Sequence, residues 1–336
     1  MIFAANGEYL VSGGVGGLRV WRVQDGKQMA AMKAPGVRSV AVSKDGGWIA
    51  AGTFRELIVW DAKTYKQTFT LEKDHHAING VDFSPDSTHL VSALDNRTVT
   101  VWSIATRQRV LTLHHESAVT AAKFSLQGDR IATATRDHSV RVYDRNDGRL
   151  LVDITVKVTP RYNNGLLWSG QQLFVRSDTN IKQIDASNGS VVSGLLIPGD
   201  NDRPIALPKH GEFIALSARY TVVFWDTLTR AQLGLIQHAQ GISSIALSPD
   251  DQFIAIGGQG GKITVKCLYR IFVSIVNCCS VVYLNDPLAS IVFSHKTQSL
   301  CLHSTPLSRN QTFGSRWRTL FSICGSAISS RTRKRY

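Results

Sequence analysis

The sequence predicts an all-β chain in which one small antiparallel sheet recurs seven times. Three observations predict it: a hydrophobic run closed by a large side chain returns at near-equal spacing, each interval splits into four short segments, and turn-forming residues separate those segments. The runs are LRVWR (Trp21), LIVWD (Trp60, Asp61), VTVWS (Trp102), VRVYD (Tyr143, Asp144), IKQID (Ile184, Asp185), VVFWD (Trp225, Asp226) and ITVKC (Val265). Successive closing residues lie 39, 42, 41, 41, 41 and 40 positions apart. Chance does not give six such intervals.

Each interval has the same interior. An apolar pair and a turn come first, as in VAVSKDG (Val40–Gly46), VDFSPDS (Val81–Ser87), AKFSLQG (Ala122–Gly128), IALPKHG (Ile205–Gly211) and IALSPDD (Ile245–Asp251). Pro, Asp and Gly pre-set a tight turn there. A short run such as HLVSA or RIATA follows, then the closing run, a polar bend such as DAKTYK, and a last short run. Four alternating strands in every ~40 residues make a propeller blade. The expected architecture is therefore a seven-bladed β-propeller of four-stranded antiparallel blades over residues 1–276, with blades at about 1–32, 33–72, 73–113, 114–155, 156–197, 198–236 and 237–276. A basic, Cys- and Ser-rich irregular tail, read as disordered, fills 277–336.

On these residues the chain resembles the WD-repeat β-propellers over residues 1–276. It departs from their pattern at three places. Met1 falls inside what reads as the second strand of period 1, so the first blade should be incomplete and the chain a fragment of a longer one. Period 5 has Ile184 for Trp, and period 7 has Val265-Lys266 for Trp-Asp, with RIFVSIV (Arg270–Val276) as its last strand. A ring weakly closed between blades 1 and 7 follows, because a propeller normally hides its free sheet edges at that junction.

The resemblance also implies a buried network within a blade: a His before the first strand, a Ser/Thr on the second, an Asp in the next turn, and the closing aromatic. Period 4 alone supplies every member, as His115, Thr133, Asp137 and Tyr143. Period 3 keeps Ser92 and Trp102, with Asn96 in the turn and Asp74 at the His position; period 7 keeps His238 but has Gln259. Such a set reads as structure, because a half-paired buried polar group costs ~1–3 kcal/mol. Partner peptides of the family dock on the face formed by blade-entrance loops and the turns after second strands. Here that face is expected to carry Arg38, His76, Asp95, Ser117, Arg136, Arg203 and Arg219, and its arginines favour an acidic or phosphorylated peptide.

The charge is divided unevenly. Of 38 Lys and Arg and 25 Asp and Glu, residues 266–336 hold ten and one, together with all five cysteines and 12 serines. A Lys/Arg run with Phe313, Trp317 and Phe321 would suit nucleic acid or nuclear targeting, but the repeat-free composition points to an extension without either role. No apolar run reaches the length of a membrane helix, and MIFAANGEYL has no basic start of a secretory signal. A cytoplasmic protein is expected, with the nucleus as the alternative.

Catalytic and cofactor motifs fail on inspection. SGGVGGL (Ser12–Leu18) and GGQGGKI (Gly257–Ile263) match neither a dinucleotide fingerprint nor a phosphate loop, and both fall at turns. Cys278-Cys279, Cys301 with His303, and the pairs His75-His76 and His114-His115 lack zinc-ligand spacing. The expected function is a non-catalytic protein–protein scaffold with no cofactor and no metal. The alternatives are the sensor portion of a larger signalling NTPase-type protein, a nucleic-acid-associated factor, or a ubiquitin-ligase substrate receptor. The last usually carries Arg two residues after the marker Asp, where this chain has Lys63, Asn146, Ser187 and Leu228. A propeller enzyme would need acids, His or metal ligands converging on the channel, and no such set repeats.

Overall fold

The computed structural model describes residues 1–73, 76–156, 165–176, 180–196, 204–209 and 211–268, and Met1–Leu268 forms one compact unit. The basic tail and RIFVSIV lie outside the described residues. Within the unit, seven antiparallel sheets follow one another along the chain at residues 2–32, 39–73, 78–114, 119–155, 166–196, 205–237 and 242–267. Six are four-stranded, and the seventh has three strands among the described residues. Blade 4 is representative, with strands Val119–Phe124, Arg130–Thr135, Ser139–Asp144 and Leu150–Thr155 paired in sequence order.

Blades pack face to face and close a ring. Separate apolar clusters join blades 1 and 2 (Val11, Leu18, Ile49, Trp60), 2 and 3 (Leu57, Val59, Leu90, Trp102), 3 and 4 (Val99, Val101, Ile131, Tyr143), 4 and 5 (Val140, Val142, Leu173, Ile184), and 5 and 6 (Phe174, Ile181, Ile214). The first two strands of blade 6 lie against the first of blade 7. Second strands such as Arg130–Thr135 are buried on both faces, which explains their unbroken apolar runs, whereas the outermost strand Leu150–Thr155 alternates with solvent.

Two expectations about the ends of the ring need correction. Blade 1 has all four strands; its innermost strand is shortened to Ile2–Phe3, paired with Val11 and Leu10. Phe3 and Leu10 pack on Ala246 and Ala255 of blade 7, with Met1, Trp21 and Val265 around them, and the Met1 amine donates to Ser244 Oγ at 3.2 Å. The junction of blades 1 and 7 is thus an apolar seam like the others.

The marker residues occupy one repeated place. Trp21, Trp60, Trp102, Tyr143, Ile184 and Trp225 sit on third strands opposite Leu10, Ile49, Leu90, Ile131, Leu173 and Ile214. Each directly follows a register shift against the fourth strand. The extra residue lies on the fourth strand, while alternation along the third strand points the marker side chain into the preceding blade. The same register in blade 7 pairs Ile254 with Lys266, so Lys266, and not Val265, fills the marker slot there. Val265 instead faces blade 1.

The Asp after the marker is a turn device. Asp61 Oδ1 accepts the Lys63 and Thr64 N–H groups at 3.0 and 2.7 Å, Asp144 accepts from Asn146 at 2.8 Å, Asp185 from Ser187 at 2.8 Å, and Asp226 from Leu228 and Thr229 at 2.9 and 2.6 Å. Five residues past each marker the backbone turns left-handed, at Gly26, Tyr65, Arg107, Gly148, Gly189 and Arg230. Glycine is needed most at Gly17, whose φ is +108° and where an added Cβ would lie 2.4 Å from the Met32 carbonyl oxygen.

Polar ties add to the apolar seams, most densely between blades 3 and 4. Asn79 Nδ2 donates to the Val119 carbonyl at 2.8 Å, and Asp82 accepts from Lys123 Nζ and the Phe124 N–H at 3.0 Å each. Arg136 reaches Asp95 at 3.0 Å, and Arg145 reaches Asp86 at 3.2 Å and His89 Nδ1 at 2.5 Å.

Candidate functional site at the entrance-loop face

In a four-stranded meander, the loop entering the first strand and the turn between the second and third strands emerge at the same end of the sheet. All seven blades therefore place these segments on one face. Arg38, His76 and Ser117 lie on entrance loops, and Asp95, Arg136 and Arg219 lie on second-to-third turns. Arg203 lies outside the described residues.

The side chains on this face differ in what they offer. His76 and Arg219 are exposed, and Ser117 is half-buried. Arg219 stands over the Tyr220 ring, 5.3 Å from its centre, and half-buried Arg38 stands over Phe54 at 4.9 Å. Asp95 and Arg136 bind each other across blades 3 and 4, and Asp95 also accepts from Asn79 Nδ2 at 2.7 Å. Arg136 is therefore largely neutralised by its neighbour and is a weaker anion contact than its sequence position suggests.

Other residues of the same face are more available. Phe54 is 56% exposed, Tyr220 45% and Val15 91%, all on second-to-third turns. Arg55 and Arg97 are exposed on the turns of blades 2 and 3, and neither has a salt-bridge partner among the described residues. Their sequence signal was position, since they share their turn with Phe54 and Asp95.

The blade 4 network forms only in part. His115 Nε2 lies 3.0 Å from Thr133 Oγ1 and 3.3 Å from the Tyr143 hydroxyl, and Thr133 Oγ1 donates to the Arg141 carbonyl at 3.5 Å. Asp137 does not join by a hydrogen bond. Its carboxylate accepts from the Thr135 hydroxyl and from the Ser139 N–H at 3.3 Å, so it caps its own turn. This is the ordinary preference of a turn Asp for its nearest donors. Blades 1 and 3 use a simpler pair at the same register: the indole N–H of Trp21 donates to Ser12 Oγ at 2.8 Å, and that of Trp102 to Ser92 Oγ at 3.1 Å.

Burial, reinforced by the Arg141 charge, pushes the His115 imidazole down to about 4, while the Leu113 backbone, Asp137 and Asp153 pull the other way. The imidazole is neutral at pH 7 and acts as a packing and hydrogen-bonding group. Asp137→Ala is expected to lower stability by about 1–2 kcal/mol through the lost turn bonds. The denaturant midpoint measures this, and an unchanged midpoint rules out the capping role. Among the described residues, no group of three or more His, Cys, Asp or Glu is placed to hold a metal ion.

Comparisons agree with this geometry. The WD domain, G-beta repeat, family is matched over residues 65–103, 106–144 and 231–265. The chain is 26% identical over 237 residues to Periodic tryptophan protein 2 of Arabidopsis thaliana, covering 65% of this chain and 25% of that protein. It is 22% identical to WD repeat-containing protein 18 of Danio rerio, covering 73% and 63%. It is 25% identical to Autophagy-related protein 16 of Arabidopsis thaliana, covering 86% and 53%. The matched region thus spans between a quarter and somewhat under two thirds of these relatives' own lengths. With repeated marker slots, bulges and capped turns in one closed ring, the chain carries WD repeats on a β-propeller fold and is similar to the WD-repeat β-propellers.

Proposed function

We propose that this protein is a non-catalytic protein-interaction scaffold whose entrance-loop face binds an acidic or phosphorylated peptide. The observation that carries the reading is the set of exposed side chains on that face. Arg55, Arg97 and Arg219 accompany exposed Phe54 and Tyr220 on short turns held by strands buried on both sides, and Val15 is exposed on the corresponding turn of blade 1. Guanidinium groups offer paired donors to carboxylate or phosphate, and exposed aromatics supply contact area at low entropic cost. A scaffold is also supported by the use already made of polar side chains elsewhere. His115, Thr133, Tyr143 and Asp137 are taken up in holding blade 4 together. WD-repeat propellers are generally non-catalytic, and rigid turns presenting variable side chains suit binding.

Charge reversal tests the face. Arg55→Glu combined with Arg97→Glu is expected to reduce recovery of acidic partners in affinity capture by about tenfold, the effect of losing ~1.4 kcal/mol of binding. Lys63→Glu with Lys66→Glu, on the opposite end of blade 2, should leave recovery unchanged. Equal recovery of the same partners by both double variants would exclude the entrance face.

A further inference from the structure

The seam between blades 5 and 6 is built differently from the rest. On each third strand, the residue just before the marker slot faces the following blade. Six blades place an apolar side chain there: Val20, Val59, Val101, Val142, Phe224 and Val265. Blade 5 places Gln183. Its fourth-strand partner is Ser193, where blades 2, 3 and 4 have Phe69, Leu111 and Val152. Ser193 Oγ donates to Gln183 Oε1 at 2.8 Å, so a polar pair stands where other blades pack apolar atoms.

A small, shallow cleft, open to solvent, lies at this pair. Phe174, Ile181 and Ile214 line it beneath, and Asp226, Thr227 and Arg230 of blade 6 also border it. Leu228, next in the chain to Thr227, is 79% exposed. Isolated exposed apolar residues are ordinary, but exposed ones beside an apolar cleft mark a contact site.

Arg230 adds a charge. It is exposed and has no salt-bridge partner among the described residues. The nearby Asp226 carboxylate is engaged by the Leu228 and Thr229 N–H groups.

We propose that this cleft is a second docking site, separate from the entrance face, for a peptide that inserts one aliphatic side chain beside Gln183 and Ser193 and sets a neighbouring carboxylate on Arg230. The cleft is far smaller than a ligand pocket, which suits the tip of one side chain and not a cofactor. Apolar lining atoms select the aliphatic group, and the guanidinium selects the acid over a lysine-rich segment.

The test uses the full chain carrying Arg55→Glu, Arg97→Glu and Arg219→Glu, so that the exposed arginines of the entrance face are removed and failure of either site is read separately. The probes are the labelled hexapeptide Glu-Glu-Leu-Leu-Glu-Glu and its counterpart Lys-Lys-Leu-Leu-Lys-Lys, followed by fluorescence anisotropy. The acidic peptide is expected to bind and the lysine peptide not. Adding Gln183→Val with Ser193→Leu, the pair found at this register in blade 3, should fill the cleft, keep or raise the thermal midpoint, and weaken the acidic peptide at least tenfold. Arg230→Glu should weaken it by a similar factor. Absence of acidic-peptide binding, equal binding of the lysine peptide, or unchanged affinity in the well-folded filled variant overturns the proposal.

Discussion

Trp102→Ala is expected to destabilise the protein by about 3–5 kcal/mol. The indole is 3% exposed and packs among Leu57, Val59, Ile78 and Leu90 at the seam of blades 2 and 3. Its N–H satisfies Ser92 within a fully buried strand, and the Arg109 guanidinium covers the ring at 5.0 Å. Truncation would leave a cavity and remove a donor to Ser92 at once. Trp21→Ala should cost less, because Trp21 is only half-buried at the same register. Denaturant midpoints of the two variants check the order, and a Trp102→Ala midpoint close to wild type would contradict this packing account.

Acid is expected to remove about 3 kcal/mol of stability between pH 6.5 and pH 4 through His115. The folded imidazole is held down to about 4, against about 6.5 in an unfolded chain. Within that window the unfolded state binds the proton and the native state does not, so stability rises with pH and is lost as pH falls. His89 is shifted in the same direction by burial and by Arg145, and adds to the loss. The depressed carboxyls of Asp45, Asp61, Asp137 and Asp185 act at still lower pH. His115→Gln retains a polar group able to reach Thr133 and Tyr143 without titrating, and should flatten the stability curve between pH 4 and 6.5. A variant curve as steep as the wild-type curve would assign the acid sensitivity elsewhere.

The ring was legible from sequence because a blade must bury both faces of its inner strands, and that need repeats with the blade. The period located Trp21, Trp60, Trp102, Tyr143, Ile184 and Trp225 in equivalent slots. It missed blade 7 by one residue, since Val265 ends the apolar run while Lys266 holds the register; hydrophobicity reports burial, and only pairing reports alignment. Asp137 was read into the His115 network from its offset, yet a turn carboxylate finds its own Thr135 hydroxyl and Ser139 N–H before it reaches a neighbouring strand. The entrance face was found in outline, because topology dictates which loops share an end. The pairing of Arg136 with Asp95, and the exposure of Phe54, Arg55 and Arg97, depend on side-chain partners one blade away that no local pattern encodes. Gln183 stood in plain view within IKQID, but its meaning required the knowledge that this position points at blade 6.

The polar ties between blades 3 and 4 give the ring a mechanical bias. Contacts from Asn79, Lys123, Arg136 and Arg145 span this junction at several heights, so a partner that grips either blade pulls on both.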